Sequence, residues 1–390
     1  MFSTWFNEVI SLGGDVESVE CVLRHGNPED VEMDPSRLKE ASAFIKKAIS
    51  EKAFPGAVFL VARNGTVVAH EACGGAVSIP SELSKPMKLD TIFDTGSVTK
   101  PVATATSLMI LLEKGKVLLD DPVNLYIPEY TGGGKEKTTL HNLLTHTAGI
   151  PDPIQLYKRC KTREDFLREI CQVKLEYPPG SKVSYSCLGF ILLAFIIEKV
   201  AGESLASFSR REIFSPLGMK DTLFNPPAKL KDRIAATERC SWRGRILVGE
   251  VHDENAFGMG GVSGNAGLFS TAQDLAIFGQ TFLNMGAYAH NRILSPATVE
   301  LMTKNHTVGL EEPRGLGWGV KAEKGSQAGE LLSPLTFGHT GFPGVSLWVD
   351  PVNELITVLM TNRVHPTREN EAILRVRPLF HNIIASSIIG

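Results

Sequence analysis

The chain has 390 residues, 43% hydrophobic and 21% charged, with 40 Lys+Arg against 43 Asp+Glu for a net charge of −3. That length fits one large domain or two interlocked lobes, and the composition is ordinary for a globular protein. The near balance of charge argues against a basic nucleic-acid footprint or a polybasic membrane anchor, and the same figures exclude collagen, coiled coil and wholesale disorder.

Met1 to Leu12 has no basic leader, and Glu8 interrupts its apolar character, so no secretory signal is expected. Residues 1–33 have weak periodicity and are assigned to an N-terminal extension. Asp34-Pro35 forms a helix start, with aspartate as N-cap and proline at the first helical position. Leu38, Ala41, Phe44, Ile45, Ala48 and Ile49 then mark one apolar face at helical spacing. Ala57 to Ala62 and Thr66 to Ala72 predict a hairpin around Asn64-Gly65. Residues 97–113 predict one long buried helix. The stretch 120–300 is mostly helix and loop, with a clear helix from Gly189 to Ala201 stopped by Gly202. Its apolar run, Leu188 to Ile197, is far shorter than the roughly 20 residues of a membrane span, so a buried helix in a cytoplasmic protein is expected. Val345 to Val349 and Leu355 to Thr361 predict strands flanking Asp350-Pro351. A last helix is expected from about Arg368, with Pro378 as a kink or restart.

This order predicts a sheet built from both chain ends. Residues 34–118 and 300–390 form an α/β lobe, and 119–299 form a mostly helical lobe inserted between them. The six cysteines include no C-x-x-C pair, so reduced core thiols are expected rather than a zinc or redox motif.

The residues richest in chemistry are Ser97-Val98-Thr99-Lys100. At i and i+3 of a helix, serine and lysine share one face. A helix N-terminus favours negative charge, as an oxyanion needs, and a desolvated lysine is a base for a serine hydroxyl. Alone, this spacing says little, because a solvated lysine on a helix gives the same pattern.

Other segments add weight. Phe93 to Lys100 resembles the nucleophile region of the serine β-lactamase and penicillin-binding-protein family, in its class C, DD-peptidase and esterase branch. The resemblance continues at Leu143-Leu144-Thr145-His146-Thr147-Ala148-Gly149-Ile150, at Tyr185-Ser186-Cys187, at Gly260 to Ser270 and at His339-Thr340-Gly341. It implies a β-lactamase/transpeptidase-like fold, an antiparallel sheet flanked by helices beside an all-helical lobe, with the site in the cleft between. It makes Ser97 the acylated nucleophile and Lys100 its base partner. Tyr185 becomes the proton shuttle to the leaving group. Which of Lys100 and Tyr185 is the acylation base stays open. His339, Thr340 and Gly341 should lie on the edge strand along the cleft, with the N–H groups of Ser97 and Phe342 as the oxyanion hole. The family needs no metal or cofactor.

Two positions depart from the family pattern. Cys187 stands where asparagine is usual, and a thiol is a poor substitute for an amide that donates to a substrate carbonyl. His339 stands where the family has lysine or, in some DD-peptidases and esterases, histidine; in place of the permanently charged lysine it loosens the demand for a carboxylated substrate. Both are counted with Thr340, Gly341 and Phe342 as substrate-binding residues. His146 is expected to be structural. His252-Asp253-Glu254-Asn255 is expected to be a loop of solvated acids rather than a metal site. Gly261-Val262-Ser263-Gly264-Asn265 lacks the last glycine of a G-x-S-x-G elbow, so an α/β-hydrolase is excluded.

The expected activity is therefore hydrolysis through an acyl-enzyme on Ser97, carboxylesterase-like, with weak β-lactamase activity allowed. β-Lactamase, DD-peptidase or D-aminopeptidase activity is the alternative, and a non-catalytic penicillin-binding sensor or scaffold is a second. The expected partner is a small ester or amide and not a nucleic acid.

Overall fold

The computed structural model describes residues 22–79 and 84–389. Residues 1–21 of the expected extension, with Cys21, lie outside the described residues. The rest of that segment joins the body: β1 (Arg24–His25) runs parallel to the strand Thr66–Val77, and Met33 is fully buried.

Among the described residues the main sheet has eight strands. β1, β2 (Gly56–Arg63), β3 (Thr66–Val77) and β4 (Lys85–Pro86) come from the start of the chain. β8 (Gly319–Val320), β9 (Phe337–Thr340), β10 (Val345–Asp350) and β11 (Leu355–Thr361) come from its end. The order is β1-β3-β2-β11-β10-β9-β8, with β4 on β3, and every pairing except β1 with β3 is antiparallel. β2 and β11 are buried along their whole length, as strands covered on both faces must be. Their alternate residues serve two cores. Phe59, Val61, Leu355 and Leu359 face α1 (Pro35–Ser50) and α6 (Ile373–Ala385), where Phe59 and Phe380 meet edge to face at 5.4 Å. Val58, Leu60, Ile356 and Val358 face α5 (Ala272–Leu283) and the helical segments beyond.

The expected local signals act as predicted at α1 and at the first hairpin. Asp34 accepts the Ser36 N–H at 2.7 Å with Pro35 beside it. Asn64 and Gly65 both take positive φ, as a two-residue turn between right-twisted strands requires.

The expected helix 97–113 is not continuous. Gly96–Val98 is a 3-10 turn, Lys100–Ala105 is π-helical, and only α2 (Thr106–Glu113) is α-helical. Pro101 accounts for the change, since it has no N–H and its ring crowds the carbonyl four residues back. The final helix starts at Ile373 rather than near Arg368, and Pro378 sits inside it. The Leu374 carbonyl, which Pro378 leaves without its usual donor, accepts from Gln327 Nε2 at 3.3 Å.

The inserted segment carries α3 (Leu140–Leu144) and α4 (Cys187–Ala201), which is buried on nearly every side and closed by Gly202 at φ 73°. A small sheet ties this lobe to the nucleophile region: β5 (Phe93–Asp94) and β6 (Leu223–Phe224) both pair with β7 (Leu268–Ser270). Among the described residues, no helix is long and apolar enough to cross a membrane. The five described cysteines are unpaired.

Candidate active site

Ser97 lies on the short turn between β5 and the π-helical segment. The turn is held from behind. Asp94, fully buried, accepts the Gly96 N–H at 2.8 Å with one carboxylate oxygen and the His252 N–H at 2.6 Å with the other. Thr99 Oγ1 donates to the Gly96 carbonyl at 2.6 Å, and the Thr95 hydroxyl donates to Leu268 C=O at 2.8 Å. Gly96 has φ 51°, and a Cβ there would meet Pro343 Cδ at 2.5 Å and the Phe342 nitrogen at 3.2 Å. A Cβ on Gly341 would meet the Thr95 carbonyl oxygen at 2.1 Å. Two glycines thus let the serine turn and the end of β9 touch backbone to backbone.

Lys100 is wholly buried. Its three N–H bonds are all used: Nζ donates to Ser97 Oγ at 2.9 Å, to the Asn265 carbonyl at 3.1 Å and to Cys187 Sγ at 3.6 Å. It also lies 4.7 Å from the centre of the Tyr185 ring. Burial works against its ammonium, but the negative charge available to Cys187 and Tyr185 works for it, and the balance is upward. Burial pushes the Cys187 thiol to about 11 against the pull of Lys100, and it raises Tyr185 against the same pull. The three groups therefore titrate as one unit, ammonium with neutral thiol and phenol at neutral pH.

Tyr185 is positioned by His146. That histidine sits at φ 58°, with its ring 4.4 Å from Tyr185 and 5.0 Å from Phe190. Its Nδ1 accepts the Ser186 N–H at 3.1 Å, and its carbonyl accepts the Ser184 N–H at 2.9 Å. Burial, with Arg314 and Lys100 nearby, holds it well below the usual imidazole value. A neutral ring clamped on both sides of Tyr185 fits a structural role.

β9 carries His339 toward Tyr185, at a ring separation of 6.1 Å. β9 is not the sheet edge, because β8 pairs outside it. The Nδ1 of His339 donates to the Thr340 carbonyl at 2.8 Å, which leaves Nε2 as a buried acceptor with no partner among the described residues. Burial first, then Lys100 and Arg314, push this imidazole down to about 3. His339 therefore offers the cleft a neutral acceptor rather than a charged donor. After β9 the chain turns back at once, with the Gly341 N–H donating to Val345 C=O at 2.7 Å. Among the described residues no acceptor takes the Phe342 N–H.

Ser97, Tyr185, His339, Thr340, Gly341 and Phe342 line one cleft of about 570 Å³, while Lys100 and Cys187 lie behind Ser97. The expected residues thus come together. Sequence reasoning missed the roles of three others and misjudged a fourth. Asn265 supplies the carbonyl that holds Lys100, and its side chain is fixed by Ser263 Oγ at 2.6 Å. Asp94 anchors the serine turn. Arg314 lies 5.6 Å from the Tyr185 ring centre and lines the cleft. His252 does not belong to a loop of solvated acids: it is 4% exposed, bonds Glu238 at 3.1 Å, and stacks on Phe342 at 5.6 Å. Arg368 joins Glu238 to Glu254, and Asp253 caps the short helix that follows. Burial opposes the Glu238 charge, but His252 and Arg368 together hold it at about 2. Those acids are consumed by ion pairs and a cap because Arg368, distant in sequence, reaches them. Among the described residues, no acid and imidazole cluster is arranged to hold a metal.

Comparison with known proteins follows the same line. The Beta-lactamase family model matches residues 41–379. A protein of Escherichia coli (strain K12) named "Putative D-alanyl-D-alanine carboxypeptidase" is 34% identical over 380 residues, covering 88% of this chain and 86% of its own length. A Salmonella agona protein of the same name is 34% identical over 385 residues, covering 90% and 88%. Among solved structures, EstCE1, described as a hydrolase with promiscuous acyltransferase activity, superposes with a TM-score of 0.72 at 26% identity, over 91% of this chain and 99% of its own. The octameric penicillin-binding protein homologue from Pyrococcus abyssi superposes with a TM-score of 0.67 at 24% identity, over 90% and 79%. The chain belongs to the beta-lactamase family and is a serine hydrolase of the β-lactamase/transpeptidase-like fold.

Proposed function

We propose that the protein hydrolyses small carboxylic esters through an acyl-enzyme on Ser97. The observation that carries this reading is the fully buried Lys100 amine 2.9 Å from Ser97 Oγ, beneath the Tyr185 ring. In the form of the Lys100–Tyr185 pair that has lost one proton, which gains population on the alkaline side, Ser97 Oγ attacks the ester carbonyl and its proton passes into that pair. The Ser97 and Phe342 N–H groups hold the oxyanion. The alkoxide then leaves with a proton from Tyr185. Water, deprotonated by the same pair, attacks the acyl group, and the carboxylic acid departs as Ser97 regains its proton. Cys187 and His339 favour an ester over an amide. Neither supplies the donor that an amide-bearing acyl group would meet at those positions in related enzymes, and an ester needs less help from the leaving-group acid.

A second reading, cleavage of D-amino-acid peptides, is favoured by the name of the Escherichia coli relative and by the cations Arg314 and Arg377 in the cleft. A substrate panel decides between them: p-nitrophenyl acetate and butyrate, nitrocefin, and peptides ending in D-Ala-D-Ala. Ester turnover above peptide cleavage is expected. Brisk peptide cleavage with undetectable ester turnover would reverse the order. A fluorophosphonate adduct on wild type that is absent from Ser97→Ala is expected by mass spectrometry. An adduct retained in Ser97→Ala contradicts the nucleophile.

A further inference from the structure

An oxyanion hole works only when its two donors keep a fixed spacing. Here Ser97 sits on the turn after β5 and Phe342 on the turn after β9, elements from opposite ends of the chain. His252, on neither turn, touches both. Its main-chain N–H donates to one oxygen of Asp94 at 2.6 Å, and the other oxygen of that carboxylate holds the Gly96 N–H at 2.8 Å. Its imidazole stacks on the Phe342 ring at 5.6 Å with 29° between the planes. Phe342 is 51% exposed, so it has little other packing to restrain it.

His252 is held in turn. Its Nε2 meets Glu238 Oε2 at 3.1 Å. Arg368 grips that carboxylate, with Nε at 2.8 Å and 2.9 Å from its two oxygens. The Arg368 carbonyl accepts Arg363 Nη1 at 3.0 Å. Arg363 then returns to the start: its Nε donates to the Phe342 carbonyl at 2.8 Å, and its guanidinium lies 4.3 Å from the centre of the Phe342 ring. The contacts close a circuit through Phe342, His252, Glu238, Arg368 and Arg363. A polar network of this kind is stiffer than its separate pairs.

We propose that His252 is a positioning residue that sets the spacing of the Ser97 and Phe342 N–H groups, and that Glu238, Arg368 and Arg363 keep it there. This role rests on the acyl-enzyme reading above, in which those two N–H groups hold the oxyanion. His252 acts through Asp94 on one donor and through the Phe342 ring on the other, and exchanges no proton with the substrate.

The test compares p-nitrophenyl butyrate with its thionoester, in which C=S replaces C=O. Sulfur is larger and accepts hydrogen bonds weakly, so well-spaced donors favour the oxygen ester and misplaced donors level the two. The ratio of the two kcat/KM values cancels any loss of folded enzyme. Removing a whole oxyanion donor costs about 10²- to 10³-fold in kcat. His252→Ala loosens a donor without removing it, so kcat for the oxygen ester should fall about 10-fold with KM little changed, and the ratio should fall by the same order. His252→Phe, which keeps a ring against Phe342, should recover part of the loss. Phe342→Ala should lower the ratio as well, and adding His252→Ala to it should lower it little further, because the two act through one contact. A ratio unmoved in His252→Ala while Ser97→Ala is inactive would overturn the role of His252 and leave the acyl-enzyme standing. Fully additive losses in the double variant would also overturn it. If Ser97→Ala still turns over ester while the ratio falls in His252→Ala, the acyl-enzyme reading fails and the role of His252 stands.

Discussion

Gly96→Ala is the sharpest single perturbation of the site. The residue sits at φ 51°, and a Cβ there would lie 2.5 Å from Pro343 Cδ against an ordinary contact of 3.4 Å or more. Alanine in the left-handed region costs about 1–2 kcal/mol, and overpacking a tight contact costs about 1–3 kcal/mol. The sum, about 2–5 kcal/mol, corresponds to a fall in Tm of roughly 2–6 °C for a chain of this length. To relieve the clash the serine turn and the turn after β9 must part by about 0.9 Å, which widens the space between the Ser97 and Phe342 N–H groups. A misplacement of roughly 1 Å costs about 10²-fold in rate, so kcat should fall by that order with a smaller change in KM. The control is Gly115→Ala. Gly115 has φ 64° but nothing within 4 Å of its Cβ position. It should lose about 1–2 kcal/mol and no activity. Thermal melts and p-nitrophenyl butyrate kinetics on both variants check this. If Gly96→Ala matches Gly115→Ala in both readouts, the close approach of the two turns does not matter to the chemistry and the oxyanion assignment loses its geometric support.

Lys100→Met should cut the acylation rate of p-nitrophenyl butyrate about 10²- to 10⁴-fold in stopped-flow measurements, the range for a lost general base. In the wild type, kcat/KM should rise with pH above neutrality, because the shift of Lys100 is upward and the base form accumulates only on the alkaline side. Cys187→Asn should raise nitrocefin or D-Ala-D-Ala peptide turnover; no gain would mean that the thiol is not what limits amide substrates. Stability should fall on acidification. His146, His339 and His381 are buried and held below their ordinary 6.5, the last two to about 3. Each is neutral when folded and takes a proton when unfolded, so its contribution is intact above pH 6.5 and lost progressively as pH falls below it. Urea melts at pH 7.5 and 5.0 should differ by up to about 2 kcal/mol per histidine, partly offset by Asp274, which burial raises to about 6 and which acts in the opposite sense.

Much of the fold was legible because its signals are local. An Asp-Pro helix start, an Asn-Gly turn and strands of continuous apolar residues depend on neighbours in sequence, and α1, β2, β10 and β11 lie where those signals put them. The π-helical stretch after Ser97 was not legible from periodicity, since an apolar run looks the same in either helix, although Pro101 was a sign of it. The site residues on motifs were found because their spacing is fixed by the turn they share. Arg314 was not, because no spacing links it to Ser97 or Tyr185 and it reaches the cleft only when the chain on either side of it docks on α3, His306 against His141 and the Gly317 N–H on the Leu144 carbonyl. His252 was misjudged for the same reason. Its acidic neighbours suggest solvent, and the residue that removes them from solvent, Arg368, is more than a hundred positions away.

The two departures from the family pattern act on one group. Lys100 has three N–H bonds to place, and in this chain one goes to a thiol at 3.6 Å, a weaker acceptor than an amide oxygen. The ammonium is therefore less well held by hydrogen bonds than it would be beside an asparagine. It depends more on the charge that Cys187 and Tyr185 develop, and both of those groups are raised by burial. A proton leaving Lys100 thus loses less hydrogen bonding than it would there, while the neutral His339 adds no positive charge to ease that loss. Replacing Cys187 changes the base as well as substrate recognition. Cys187→Asn should move the alkaline limb of kcat/KM for p-nitrophenyl butyrate, and Cys187→Ala, which removes the thiolate without adding an acceptor, should move it to lower pH. A limb that stays fixed in both variants would separate Cys187 from the titrating unit and leave Tyr185 as the sole partner of Lys100.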